Sequence, residues 1–231
     1  MREYKAKIKK ITKLSDNARH FVLKLTKPKE IDFEAGQYVI IKIPGDTPLF
    51  RSYSIFSSPE KKNKIELCVT FVEGGKASEY FFKKCEIGDE LEMRGPLGIL
   101  KLEEAPEYVF IASGSGVAPF YPMALEILKN NPEAKINFFF SLRYAGDVFL
   151  RKELEKLKKK YPNFNYLITI TRPDETWKGA TGRINLHLEK LGNFQNKKYY
   201  LCGSTNMIND LSEILKQKGV NESDIRFERF Y

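Results

Sequence analysis

The sequence predicts an all-β part of antiparallel strands, a sandwich or barrel, followed by an α/β part with a parallel sheet. Three observations carry this. The first hundred residues are short β-rich segments separated by turn signals. After Gly95-Pro96-Leu97-Gly98, apolar strands alternate with helical segments, the pattern of βαβ units. The 231 residues, 42% hydrophobic and 13% aromatic, suit one large or two small domains and suffice for a buried core.

In order, strands are expected at Glu3 to Thr12, Arg19 to Thr26, Gln37 to Ile43, Arg51 to Phe56, Lys64 to Phe71 and Glu90 to Arg94. Several alternate polar with apolar, as in Phe21-Val22-Leu23-Lys24-Leu25. Turns fall at Ser15-Asp16-Asn17, Pro44-Gly45-Asp46 and Gly74-Gly75. A short helix is expected from Ser78 to Lys84, with Ser78 as its cap and Glu79 in its first turn. The second part begins with the continuous apolar strand Tyr108 to Ala112 and a helix from Pro119 to Asn130. There follow strand Ile136 to Ser141, helix Phe149 to Tyr161 and strand Phe164 to Thr171. Strand Tyr199 to Cys202, helix Thr205 to Lys218, stopped by Gly219, and strand Ile225 to Phe230 end the chain. The boundary is placed in Lys101 to Pro106.

Composition excludes several classes. No apolar run approaches the ~18 residues of a membrane helix, and the charged N-terminus, MREYKAKIKKITK, is not a secretory signal. Cys68, Cys85 and Cys202 lie far apart, supplying neither a disulfide framework nor an iron–sulfur ligand set. With only His20 and His187, no metal site is expected. A soluble, cytoplasmic protein is expected. The net charge of +9 leaves nucleic acid, a membrane surface or an acidic partner open. The basic runs lack interleaved aromatics, and Arg151 to Lys160 reads as a solvated helix face, so no nucleic-acid binding is expected.

Four segments carry candidate chemistry. Gly114-Ser115-Gly116-Val117-Ala118-Pro119 joins a buried strand to a helix, where backbone N–H groups can meet a pyrophosphate. Taken alone, it also reads as an ordinary strand–turn–helix glycine pair. Arg51-Ser52-Tyr53-Ser54 combines a forked phosphate donor with a flat ring, or forms the polar face of an edge strand. Gly74 to Ser78 opens the short helix and could hold an anion, or is a hairpin turn before a capped helix. Cys202-Gly203-Ser204-Thr205-Asn206-Met207 lies at a strand's carboxyl end, where open α/β sheets bind ligands; Cys202 alone also reads as a structural cysteine.

Two phosphate cradles on different domains imply two nucleotides meeting between them. In this order the segments resemble the ferredoxin–NADP(+) reductase-like flavoprotein oxidoreductases. Arg51-Ser52-Tyr53-Ser54 matches the family's Arg-x-Tyr-Ser/Thr flavin signature, and Gly36-Gln37-Tyr38-Val39 its opening Gly-Gln-Tyr strand. Glu66 to Val69 with Gly75 to Ser78 is similar to the segment closing on the flavin pyrophosphate. Gly114 to Pro119 matches its Gly-x-Gly-x-x-Pro loop, and Cys202-Gly203 with Met207 its Cys-Gly-x-x-x-Met motif.

The resemblance implies a six-stranded antiparallel β-barrel holding FAD (residues 1–102) and a Rossmann-like α/β domain with a five-stranded parallel sheet holding NADPH or NADH (residues 103–231). Arg51 would bind the flavin pyrophosphate, with Ser52 beside it, and Tyr53 would lie against the ring or ribityl chain. Ser54, Cys202 and Glu228 would be the catalytic group, at flavin N5, nicotinamide C4 and as a hydrogen-bonding carboxylate. Val69, Gly75, Lys76, Ala77 and Ser78 would hold the flavin phosphates. Gly114, Gly116, Val117 and Pro119 would form the nicotinamide-nucleotide loop, with Cys202, Gly203 and Met207 beside the nicotinamide. Tyr231 or Phe230 would shield the flavin, or simply pack on the barrel. No carboxylate follows Ser141-Leu142-Arg143, and Thr171-Arg172 is similar to the Ser-Arg pair that reads a 2′-phosphate, which favours NADPH. The implied function is hydride exchange between NAD(P)H and FAD, with single electrons passing to an acidic carrier, a ferredoxin or flavodoxin. The alternative is an FAD-carrying electron-transfer subunit of a larger redox complex. The cysteine pattern places any iron–sulfur centre on a separate protein.

Overall fold

In the computed structural model, which describes residues 1–230, the alternation of the first strand becomes an inside and an outside. In β1, Arg2–Lys13, the side chains of Tyr4, Ala6 and Ile8 are buried and those of Lys5, Lys7 and Lys9 exposed. β2 (Ala18–Lys27), β3 (Tyr38–Ile43), β4 (Leu49–Ser54), β5 (Lys64–Thr70) and β6 (Glu90–Leu97) complete a six-stranded sheet. Its order is β4-β3-β6-β1-β2-β5, and every ladder is antiparallel. The sheet curls until its edges meet, and Ile55, just past β4, bridges Leu67 of β5. Phe21, Leu23, Ile41, Ile65, Leu67 and Phe81 fill the interior.

Between β5 and β6 lies a short helix, α1 (Lys76–Glu79), continued by a π-helical turn, Tyr80–Lys84. It starts earlier than expected, and this corrects the reading of Ser78 as its cap. Gly75 occupies the cap, and Ser78 is a buried residue within the helix. The Val72 N–H donates to Ser78 Oγ at 3.0 Å, so the hydroxyl ties the loop before the helix down onto it.

The second part alternates β7 (Glu107–Ser113), α2 (Val117–Asn130), β8 (Lys135–Leu142), α3 (Arg151–Lys160) and β9 (Phe164–Ile170). β10 (Ala180–Thr181), β11 (Lys198–Ser204), α4 (Thr205–Gln217) and β12 (Ile225–Phe230) follow. The sheet order is β10-β9-β8-β7-β11-β12, all parallel. The five long strands expected are joined by β10, whose two residues are too short for any periodicity. Pro119 is the third residue of α2, where its missing N–H interrupts no helical bond. Val109, Ile111, Tyr199 and Leu201 face α4 on one side of the sheet. Phe110, Phe138, Phe140 and Tyr200 face α2 and α3 on the other, and each such burial contributes about 1.5–3 kcal/mol.

The chain goes one way from β7 to β8 and the other way to β11, so a crevice opens at the carboxyl ends of β7 and β11. The barrel caps it, because Ala18, Ala35, Phe56, Cys68 and Leu100 share one core with α2 and the parallel sheet. Phe56 stacks on Tyr121 of α2, centroids 5.3 Å apart. The Asp16 N–H donates to the Gly146 carbonyl at 3.2 Å.

Candidate functional site

The crevice between the sheets is a cleft of about 860 Å³. Of the residues the sequence proposes, Gly114, Arg143, Thr171, Gly203 and Met207 line it, as does Phe230. Two glycines let its floor close. A Cβ on Gly116 would stand 2.3 Å from the Cys202 carbonyl oxygen. One on Gly203, at φ +150°, would stand 2.1 Å from Ser113 Oγ. Only glycine permits the start of α2 to press on the end of β11.

Just behind the cleft lining, next to Gly203, three side chains from three strands converge. Cys202 of β11 is the parallel partner of Glu228 on β12. The Ser54 hydroxyl, at the end of β4, lies against the Glu228 carboxyl and offsets part of its desolvation. Burial nevertheless pushes Glu228 up to about 7. Ser54 Oγ and Glu228 Oε2 are buried with no hydrogen-bond partner of good geometry among the described residues. Burial, and then the Glu228 charge, push the Cys202 thiol well up. Cys202 is therefore a neutral, apolar wall, not a thiolate. Tyr231 lies outside the described residues.

Along β4, Arg51 and Ser52 are exposed. The Arg51 guanidinium donates only to the neighbouring Phe50 carbonyl, at 2.8 Å, among the described residues. Tyr53 packs edge-on against Phe81 at 5.2 Å, and burial raises its phenol. Gly75 and the exposed Lys76 open α1, whose first-turn N–H groups have no helical acceptors.

Other expected residues sit elsewhere. Val69 is in the barrel core. Ala77 and Ser78 are buried, and the Ser78 hydroxyl is engaged within its own loop. Gly116, Val117 and Pro119 are buried beneath the cleft, supporting its floor. Arg172 does not line it: its Nη1 donates to Tyr144 Oη at 3.0 Å, and Tyr144 lines the rim in its place. Several lining residues lie outside the four candidate segments, among them Asn17, Thr70 to Glu73, Arg183 and Asp210. Arg183, two residues from β10, faces Asp210 of α4 at 3.8 Å. Asn206 and Met207 are legible through their neighbour Cys202, whereas Asn17 and Glu73 reach the cleft only through the packing of two domains.

In chemical terms, the cleft offers peptide N–H groups and guanidinium groups for anions at its ends. Behind its lining, next to Gly203, stand a dry thiol and a carboxyl able to hold a proton near neutrality. No helix among the described residues is long and apolar enough to cross a membrane. No group of three or more metal-ligating side chains occurs among them.

The oxidoreductase FAD-binding domain family matches residues 5–102, and the oxidoreductase NAD-binding domain family residues 110–213. The phenol hydroxylase P5 protein of Acinetobacter pittii is 33% identical over 100% of this chain. The reductase component of phenol 2-monooxygenase from a Pseudomonas species is 31% identical over 99% of it. The chain spans 66% of the length of each. Ferredoxin–NADP reductase B of Sorangium cellulosum is 30% identical, over 98% of this chain and 97% of that protein. In fold, an Amycolatopsis cytochrome P450 reductase superposes with a TM-score of 0.93 at 24% identity, covering 99% of this chain and 70% of that one.

Proposed function

The chain belongs to the ferredoxin–NADP(+) reductase-like family of FAD- and NAD-binding oxidoreductases, and on that premise we propose that it passes hydride between NAD(P)H and FAD and single electrons between FAD and a separate carrier protein. FAD and NAD(P)H are its cofactors. The observation that carries the proposal is the meeting of Ser54 from the barrel with Cys202 and Glu228 from the parallel sheet.

The residues present fit both groups. Ser54 Oγ and Glu228 Oε2 are buried polar atoms lacking partners, as expected where a ligand completes the hydrogen bonding. Arg51 is exposed and forms no ion pair among the described residues, which suits a pyrophosphate. FAD, when bound, supplies the step from two-electron to one-electron chemistry. This chain's residues do the rest. Arg51 and the N–H groups opening α1 would hold the flavin phosphates, and Tyr53 would form a wall for the ring system. Glu228, protonated up to about pH 7, would hold a proton beside Ser54. The neutral Cys202 thiol would exclude water from the meeting point.

We assign NADPH as the preferred donor. Arg143 and Arg183 line the cleft, and Arg172 stands by Tyr144 on its rim, a concentration of guanidinium groups suited to an extra phosphate. The carrier would be an acidic ferredoxin or flavodoxin in the cytoplasm. A second reading, an FAD-carrying subunit of a larger redox complex, draws on the chain spanning 66% of relatives described as reductase components. The test is anaerobic mixing of the FAD-loaded protein with NADPH and NADH in parallel, followed by flavin absorbance. Bleaching, faster with NADPH, and turnover with a soluble dye are expected. A protein that retains no FAD, or whose flavin neither nucleotide bleaches, refutes the proposal. Bleaching without turnover until partner chains are added favours the subunit.

A further inference from the structure

The chain carries a net charge of +9, yet the nucleotide cleft does not share the excess. Two guanidinium groups line it, Arg143 and Arg183, against three carboxylates, Glu73, Asp147 and Asp210. The fold accounts for Asp147, which is buried and accepts the Tyr144 N–H at 3.1 Å, closing the turn after β8. Glu73 belongs to the barrel loop before α1, outside the domain that carries both guanidinium groups. The fold does not account for Asp210. This residue and Asn206 stand one turn apart on the cleft side of α4, while Ile208 and Leu215 turn into the core. The one partner of its side chain among the described residues is Arg183, at 3.8 Å, beyond hydrogen-bond reach. The Asp210 side chain is 61% exposed and that of Arg183 79%. A pair so loose and so wet adds little to stability. Its consequence falls on the cleft, where a carboxylate answers the charge of a lining guanidinium. Arg143 has no such counter-ion among the described residues, and Arg172 donates to the neutral Tyr144 Oη.

We propose, on the assignment of NADPH made above, that Asp210 is a specificity-determining residue: it weakens the hold of the cleft on an adenosine 2′-phosphate, so that NADH remains usable beside NADPH. Any phosphate oxygen that takes a hydrogen bond of about 2.9 Å from Arg183 Nη1 stands within about 7 Å of the Asp210 carboxylate, given the 3.8 Å span of the pair. That is inside the screening length of about 8–10 Å at physiological salt and slightly below. Two effects then act in one direction. The phosphate shares Arg183 with a carboxylate, and that carboxylate repels the charge of the phosphate itself. NADH has a hydroxyl at this position and meets neither effect. In surroundings this exposed each effect is small, and together they set a penalty of about fivefold in affinity at low salt.

The test uses the FAD-loaded protein and Asp210→Asn, which keeps the shape of the side chain and removes its charge, with Asp210→Ser as a second variant. The probes are 2′,5′-ADP and 5′-AMP, which differ only in the 2′-phosphate, titrated by calorimetry. Steady-state reduction of ferricyanide by NADPH and by NADH is measured beside them. Both variants should melt at the wild-type temperature, since the pair is exposed. Affinity for 2′,5′-ADP should rise about fivefold at low salt and the Michaelis constant for NADPH fall in step, while 5′-AMP and NADH change less than about twofold. The gain should fade above roughly 0.3 M salt. Unchanged 2′,5′-ADP affinity, or equal gains for both probes, overturns the role of Asp210 while leaving NADPH as the preferred donor. Weaker binding of both probes makes Asp210 a contact of the shared adenosine and overturns that role as well. Wild type that binds 2′,5′-ADP no better than 5′-AMP, and turns over NADH faster than NADPH, overturns the NADPH assignment and the role of Asp210 together, with hydride exchange still standing.

Discussion

Replacing Glu228 by glutamine keeps the shape of the side chain and removes its charge. The effect on stability follows from its surroundings. Burial raises the carboxyl from 4.5 to about 7, so the folded FAD-free chain holds a proton that the unfolded chain has released over that range. A folded state that binds more protons loses stability as pH rises. The penalty is absent below about pH 4.5, grows through the interval and is complete above about 7. At 1.36 kcal/mol per pH unit this is about 3 kcal/mol, and residual solvent screening reduces it to about 2 kcal/mol. For a chain of this size that is about 4–8 °C in melting temperature. Thermal melts of the FAD-free wild type and Glu228→Gln at pH 4.5 and 8 give the answer. Coincident melts at the lower pH are expected, with the variant higher at pH 8. A constant gap at both pH values, or none at pH 8, would refute the reasoning.

Three further outcomes follow from the same geometry. Gly116→Ala places a methyl group 2.3 Å from the Cys202 carbonyl oxygen; it should cost about 2–4 kcal/mol in chemical denaturation and weaken NAD(P)H binding more than FAD binding. Arg51→Ala leaves a surface position unstrained, so melting of the FAD-free chain should hold within about 0.5 kcal/mol while equilibrium dialysis shows FAD affinity falling about tenfold or more. Arg172→Ala should raise the Michaelis constant for NADPH far more than for NADH, and equal changes in steady-state assays would remove Arg172 from the 2′-phosphate.

Most of the fold was legible because its two periodicities differ. Alternation in Tyr4, Ala6 and Ile8 marks a sheet with one wet face, and the unbroken run Tyr108 to Ala112 marks a strand covered on both. What was illegible depends on contacts distant in sequence. Ser78 has the chemistry of a cap, yet the loop from Val72 folds onto it and draws it inside. Val117 and Pro119 belong to a motif near a nucleotide site, but helical geometry turns both into the core. Arg172 is one residue past the cleft-lining Thr171, and a hydrogen bond to Tyr144 holds it at the rim. Asn17 carried only a turn signal and Glu73 none, since each becomes a wall of the cleft only when the barrel docks.

That docking is apolar and continuous. Phe56, Cys68 and Leu100 from the barrel side and Phe120 and Met123 of α2 with Tyr200 of β11 share a single core. The two halves are accordingly one cooperative unit: denaturant should melt them in a single transition, with the steep urea dependence of all 231 residues. A cut between the sheets would release two fragments, each with an exposed apolar face, prone to aggregate instead of persisting as free domains.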